Sequence, residues 1–507
     1  MFARLAEALE QRPGRILVLI LAYLLINIAV RLSLPTSLEM DEAQQALLTQ
    51  WLAAGYDSQP PLYNWVQYGV SALAGLSLST LAGVKAGFLL AIYGGYAMLA
   101  RECLEDRALA ALAPLGLLTI PHIAWESQRD LTHSVALSAV SILFLWAVMR
   151  TLKRPSLLSF TLVGVTAGLG LLAKYNFVLL PFCCLVAMAS LPETRRRLAD
   201  WRILVAAAFA VLVFLPHGLW LWQNSGIAAA ETLGKLEDDG APVSMLADLA
   251  GGVLSLAGAT LGFTGLTLLV FALAAGKADG ASALRAQSLP TRLIGRMMLV
   301  FIAILLITTL ATDADSFKER WLSPVLIFLP LYLCLKAEAA GLNGRRLLAR
   351  ILPVALVIAV LVPSILLLRV TAAGWTGKYN KQNVPYAALS RLIAEAVPEA
   401  PGAVILSADR QLAGNLRLNF PAAAVVTPDY ERFERAAFDT ANRPVLVVWR
   451  GNAPIDPALR QLALRQGSEQ EGVKREATPV GGIVSLGYLY GRPGDRVTFS
   501  YQLFANP

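Results

Sequence analysis

Residues 37–70 read SLEMDEAQQALLTQWLAAGYDSQPPLYNWVQYGV. They follow directly on an apolar run, residues 15–34, that is long enough to cross a bilayer, yet they open with two adjacent carboxylates, Asp41 and Glu42. Charge at the edge of hydrocarbon is costly and usually marks a site or a pathway, so this junction bears on fold and function together. Ala43, Leu47, Trp51 and Ala54 recur at helical spacing with Gln44, Gln45 and Gln50 between them. That pattern predicts a helix over 41–54, lying in the outer interface and stopped by Gly55. Residues 62–78, with Tyr63, Trp65 and Tyr68 suited to the headgroup region, predict a second interfacial helix. Counting them as a span would invert the side of every later basic cluster.

The rest of the chain agrees with a membrane setting. Of 507 residues, 56% are hydrophobic and only 15% charged, and the mean hydropathy is +0.57. A soluble chain of this length would carry far more charge, so the class is a polytopic membrane protein. A net charge of +8 would suit a polyanion, but the basic residues fall in short clusters between apolar runs. That is the positive-inside pattern; it points to membrane lipids as surroundings and to no nucleic-acid partner. Cys103, Cys183, Cys184 and Cys334 lie in or beside apolar segments, which implies no disulfide framework and no zinc knuckle. No small-residue cleavage site follows the first apolar run, which reads as a retained helix.

Spans are expected at 15–34, 81–100, 107–121, 131–150, 157–173, 175–191, 203–222, 248–274, 296–311, 321–336 and 348–368, within a total of about 11–13. The clusters around Arg4, Arg101, Arg150, the TRRR at 194–197, Arg292 and Arg345 then share one side, the cytoplasm. The other side receives the loops 35–80, 122–130, 223–247 and 312–320 and a tail from about 370. In that tail, AALSRLIAEAV and RQLAGNLRL read as helices and GAVILSA, AAAVVTP and RPVLVVW as strands, closed by IVSLGYLYG and RVTFSYQLF. The expected organisation is a membrane domain over 1–369, with interfacial helices in its first outer loop (35–80), and a small α/β domain over 370–507 that acts as a lid or docking module.

The notable ionisable residues collect on the outer side. They are Asp41 and Glu42; His122, Glu126, Asp130 and His133, on one face if that loop continues as helix; Lys174, interrupting GLGLLAKYNFVLL; His217, ending span seven as a cap; and Lys318 and Arg320 in DADSFKERW, 313–321. Each has a plain alternative. Carboxylates stabilise a helix N-terminus, Lys174 can snorkel to the interface, Arg320 can anchor on headgroups, and His122, Glu126 and His133, a weak trio for a divalent metal ion, can be ordinary surface groups. Together they suit chemistry on an amphiphile with a phosphate-ester head: a carboxylate takes a proton from an acceptor hydroxyl, and the cations hold the leaving phosphate. There is no Gly-rich phosphate loop, and the outer face has no nucleotide supply, so a lipid-linked donor fits. A secondary transporter or flippase would place its charges near the midplane. A silent scaffold for a periplasmic partner is a third reading.

The first-loop sequence, GLGLLAKYNFVLLP, PHGLWLWQNSG and KERWLSPVLIFLPL together resemble, in the same order, the GT-C-fold, polyprenyl-phosphate-dependent glycosyltransferases. The similarity runs over about residues 10 to 370, and it is greatest to the bacterial branch of aminoarabinose, galacturonosyl and protein O-mannosyltransferase-like (PMT) enzymes. The resemblance implies an inverting sugar transferase working at the periplasmic face of the inner membrane. Its donor would be a polyprenyl-phosphate-linked sugar and its acceptor a lipopolysaccharide, lipid A or core, with a protein acceptor as the alternative. It makes Asp41 the catalytic base and Asp130 a second, acidic catalytic residue, with Lys318, Arg320 and Lys174 binding the phosphate; Glu42, Gln59 and Tyr63 of the first loop are further expected substrate contacts. Where aminoarabinose transferases show Lys-Pro-Pro, this chain has Gln59-Pro60-Pro61. That removes a cation from the donor site and argues against an aminoarabinose donor. A tail without a β-trefoil argues against a eukaryote-like protein mannosyltransferase.

Overall fold

A computed structural model describes residues 2–226, 245–311, 317–430, 443–465 and 476–505. Residues 313–316 and most of the expected loop 223–247 therefore lie outside the described residues. Among the described residues, seven helices are long and apolar enough to cross a membrane, and an eighth is added if one bent pair is a single span. The protein is a multi-pass membrane protein.

Several expected spans are shorter or broken, each for a local reason. The helix Leu157–Ala173 ends where Lys174 adopts an extended backbone (φ −166°, ψ 141°), and the chain restarts through a 3-10 turn, Tyr175–Val178, into Leu179–Ala189. The segment 321–336 is a 3-10 turn followed by Ser323–Leu326 and Leu329–Ala339, with Pro324 and Pro330 near the starts of the two helical pieces. Proline tolerates the first turn of a helix but breaks its interior. Arg107–Thr119 turns by 73° into His122–Arg129.

The chain forms two compact units. One contains residues 1–26, 57–63 and 86–362. It is almost wholly helical. The other contains 27–56, 64–85 and 363–507, so the tail shares a unit with most of the first outer loop.

In that second unit a five-stranded sheet has the order β2-β1-β3-β5-β4. The strands are β1 Val404–Leu406, β2 Ala424–Val426, β3 Val445–Arg450, β4 Glu476–Gly487 and β5 Arg496–Ala505. β1 pairs in parallel with β2 and β3, while β5 runs antiparallel to β3 and β4. Alternation of side chains gives each strand two apolar faces. Val404, Leu406, Val445 and Val447 meet Leu459 and Leu462 of the helix Pro457–Arg465 on one side. Ile405, Val425, Leu446 and Val448 face a larger core on the other.

That larger core includes Leu47, Leu48, Trp51 and Tyr56 of the first loop alongside Leu389, Ile393, Leu412 and Leu416 of the tail. Fully burying such a side chain is worth roughly 1.5–3 kcal/mol, so the loop is integral to the tail's core. The loop helix is Met40–Leu48, ending seven residues before Gly55. What ends it is side-chain competition for its last carbonyls: Thr49 Oγ1 donates to Ala46 O (2.6 Å) and Gln50 Nε2 to Leu47 O (2.9 Å). Gln50 also meets β2, donating to Val425 O and accepting from Val425 N, both at 2.9 Å. The second predicted helix is Leu62–Ala74, 13 residues, shorter than a span requires.

Candidate active site

In the second unit, Asp41 sits half-buried in the first turn of the loop helix. Its neighbour Glu42 is buried, with its side chain enclosed by three partners. Arg31 reaches it through Nη2 (2.8 Å) and Nε (3.1 Å), Lys85 Nζ stands at 3.5 Å, and the Glu39 amide donates to it at 3.2 Å. Burial pushes the Glu42 carboxyl up, but Arg31 and Lys85, with the hydrogen bonds, outweigh it and hold it down at about 2. Glu39 pairs with Arg369. Glu42 is thus a brace for the helix that carries Asp41. The signal for Lys85 in the sequence is a lysine inside the apolar run LAGVKAGF.

The other unit holds the remaining candidates. The short segment 57–63 brings Asp57, whose carboxylate accepts from the Gln59 amide (2.8 Å) and acts on Tyr175. Pro60 accepts a hydrogen bond from the His133 ring. Tyr63 stacks on Phe88 with centroids 5.2 Å apart and lies 6.1 Å from His133. Lys174 Nζ donates to Ser134 Oγ (3.0 Å) and acts electrostatically on both His122 and His133. Arg320 acts on His122 as well. Its 3-10 turn is tied to the neighbouring helical segment where Asn176 Nδ2 donates to Trp321 O at 3.4 Å. Buried Nε of Arg320 and buried Nε2 of His122 have no hydrogen-bond partner among the described residues.

The expected face of His122, Glu126, Asp130 and His133 does not form. Residues His122–Glu126 make a π-helical turn, the chain leaves the helix at Asp130 (φ −143°), and His133 starts a new one. Glu126 pairs with Arg129 at 2.7 Å. Among the described residues no three His, Cys, Asp or Glu side chains are placed to hold one metal ion, so the trio is not assembled as a metal centre. Asp130 and Gln59 are half-buried, and Lys318 is exposed while Arg320 is half-buried. Beside Arg320, Glu319 packs against Gly262, where a Cβ would stand 2.3 Å from its Oε1. Burial, then the charge of Glu126, raises the Glu319 carboxyl.

His217 lies inside the helix Ile203–Gln223 instead of capping it. Its Nε2 shares a hydrogen bond with Tyr175 OH (3.0 Å), and its ring stacks on Trp220 with centroids 5.4 Å apart. Nothing in the local sequence singles out Asp57. Its burial beside Tyr175 is a tertiary fact with no counterpart in local sequence.

Two cations acting on a buried imidazole, with the Arg320 Nε–H unsatisfied by the described residues, suit an anion such as a phosphate. Residues 58–220 match the family described as dolichyl-phosphate-mannose-protein mannosyltransferase. Over 497 residues the chain is 42% identical to the lipopolysaccharide core galacturonosyltransferase RgtB of Rhizobium johnstonii, covering 97% of this chain and 98% of that one. RgtA of the same organism, also a lipopolysaccharide core galacturonosyltransferase, is 38% identical over 483 residues, 95% of this chain and 96% of its own. The fold is that of ArnT from Cupriavidus metallidurans, solved bound to undecaprenyl phosphate: TM-score 0.61 at 13% identity, over 96% of this chain and 98% of ArnT. The chain belongs to the GT-C glycosyltransferases of the PMT superfamily, in the company of the rhizobial galacturonosyltransferases. It is a glycosyltransferase, as the sequence motifs imply, and the transporter and scaffold readings fall away.

Proposed function

We propose that this protein transfers a uronic acid, galacturonic acid, from a polyprenyl-phosphate carrier to the core of lipopolysaccharide at the periplasmic face of the inner membrane. The observation that carries the reading is 42% identity along nearly the whole of both chains to a lipopolysaccharide core galacturonosyltransferase. The cation cluster supports the phosphate-linked donor, and the basic clusters between spans support an outward-facing site.

In the proposed reaction an acceptor hydroxyl oxygen attacks the anomeric carbon from the face opposite the phosphate. A C–O bond forms as the bond from anomeric carbon to phosphate oxygen breaks, and the configuration inverts. A sugar hydroxyl is far too weak an acid to ionise near pH 7, so its proton passes to Asp41. Polyprenyl phosphate departs as an anion held by Lys174 and Arg320, with Lys318 at the exposed rim. Asp130 is assigned to the acceptor side, Gln59 and Tyr63 to the sugar, and Glu42 to holding Asp41 in place. No ligands are assigned to a divalent ion.

Mass spectrometry of lipopolysaccharide from a deletion strain should show the core short of a uronic acid. Wild type should restore it, whereas Asp41→Asn should not, with turnover reduced ~10²–10⁴-fold and donor binding retained. Unchanged core in the deletion strain, or loss of sugar from periplasmic glycoproteins instead, would overturn the acceptor. Full activity of Asp41→Asn would overturn the mechanism.

A further inference from the structure

The loop helix Met40–Leu48 has nine residues, too few to persist in water unaided. Its companion is the tail helix Arg410–Asn419. At Gly414 the two backbones are so close that a Cβ would stand 2.0 Å from Ala43 O. Next to it Asn415 Oδ1 accepts from Leu38 N (2.9 Å), and one turn back on the face of Asn415 Gln411 Nε2 donates to Leu38 O (3.2 Å). The backbone leading into the loop helix is thereby bonded through both its donor and its acceptor. From the middle of the helix Gln44 Nε2 donates to Tyr430 OH (2.9 Å), and just past its far end Gln50 is bonded twice to Val425. Gln411, Asn415 and Gln44 are buried, so these bonds are shielded from water and costly to lose.

These contacts exceed what a lid or docking module needs. A lid must come away from what it covers, whereas this tail is bonded to both ends of one short helix and shares a core with it. We propose that the C-terminal domain is the positioning element of the transfer reaction, with Gly414 and Asn415 setting the first turn of the loop helix and hence the place of Asp41. The proposal rests on the reading of Asp41 as the base. It makes Gly414 and Asn415 positioning residues that act on the reaction through that helix, without touching substrate.

The physical consequence is a separation of binding from turnover. Shifting a reacting group by about 1 Å can cost ~10²-fold in rate with little effect on affinity. The test uses full-length protein in nanodiscs, with polyprenyl-phosphate galacturonic acid as donor and lipopolysaccharide lacking that sugar as acceptor. Gly414→Ala and Asn415→Leu should each lower kcat ~10²-fold and leave donor KM within about twofold of wild type. Leu459→Ala is the control: it opens a cavity under the opposite face of the same sheet and should leave kcat unchanged despite a lower Tm.

Folded Gly414→Ala and Asn415→Leu enzymes turning over at the wild-type rate, beside an inactive Asp41→Asn, would overturn the proposal while sparing the base. An active Asp41→Asn would remove the reading on which it rests. If all three tail variants lose kcat in proportion to lost stability, the domain is merely structural and positioning is overturned. Should Gly414→Ala fail to fold, Asn415→Leu carries the same test alone.

Discussion

Glu42 and Arg320 both stand out in the sequence as charged residues beside apolar runs, yet their surroundings are opposite. Around Glu42 every charge is answered: Arg31, Lys85 and the Glu39 amide surround it, and Arg369 takes Glu39. Around Arg320 the described residues leave polar atoms unsatisfied, its own Nε and the Nε2 of His122, while Lys174 adds like charge. A buried ion with partners is scaffold, because its desolvation is offset within the fold. A buried donor without a protein partner calls for an acceptor, which a ligand or a water supplies. The two regions should therefore fail differently, one in stability and the other in catalysis.

The largest effect is expected at Glu42. Removing one member of a buried ion pair leaves the others uncompensated and costs about 3–5 kcal/mol, so Glu42→Ala should lower the Tm sharply. Comparable stability in the variant would show that the network is no brace. Its pH dependence sharpens the point. The Glu42 carboxyl titrates at about 2 in the fold against an ordinary 4.5, so its contribution is complete above about pH 4.5 and disappears as pH falls towards 2. Acid unfolding of Glu42→Gln should lack this component, and identical acid profiles for variant and wild type would contradict the assignment.

Next comes Arg320→Ala, which should fold normally and lose ~10²-fold in kcat/KM, with most of the loss in donor affinity measured against polyprenyl phosphate alone. A stability defect without a donor defect would make Arg320 scaffold too, and the contrast would vanish. The smallest effect belongs to Arg129→Ala. Its partner Glu126 and Arg129 itself are each about a third exposed, and such pairs are worth about 0–1 kcal/mol. Tm and transfer rate should both stay near wild type. A large loss of rate there would extend the functional cluster to the broken helix.

Much of this was legible from residues alone. Apolar runs with basic clusters between them define a multi-pass protein, since charge cannot be left in hydrocarbon. Strand–helix alternation after residue 400 predicts the tail, and its strands lie where Val-rich segments fall between turns. Lys174 was visible because it interrupts an apolar stretch, and the family was legible from four short motifs in register. The end of the loop helix was misplaced because Gly55 looked like the stop, whereas Thr49 and Gln50 bond back to the last carbonyls. The acidic and imidazole residues from 122 to 133 would share one face only on a continuous helix, and here the helix breaks at Asp130.

The sequence by itself determined a polytopic membrane chain of the PMT superfamily, with a small α/β tail and charges at its outer loops. Hydropathy, turn chemistry and motif order are local properties, and local properties can be read along a line. Only tertiary structure decided that Glu42 is enclosed by Arg31 and Lys85, that Asp57 is buried beside Tyr175, and that the loop helix shares its core with a strand more than 370 residues away. Those outcomes depend on which groups satisfy one another in space. No spacing along the chain encodes that, because the partners come from different elements, 11 to 375 residues apart.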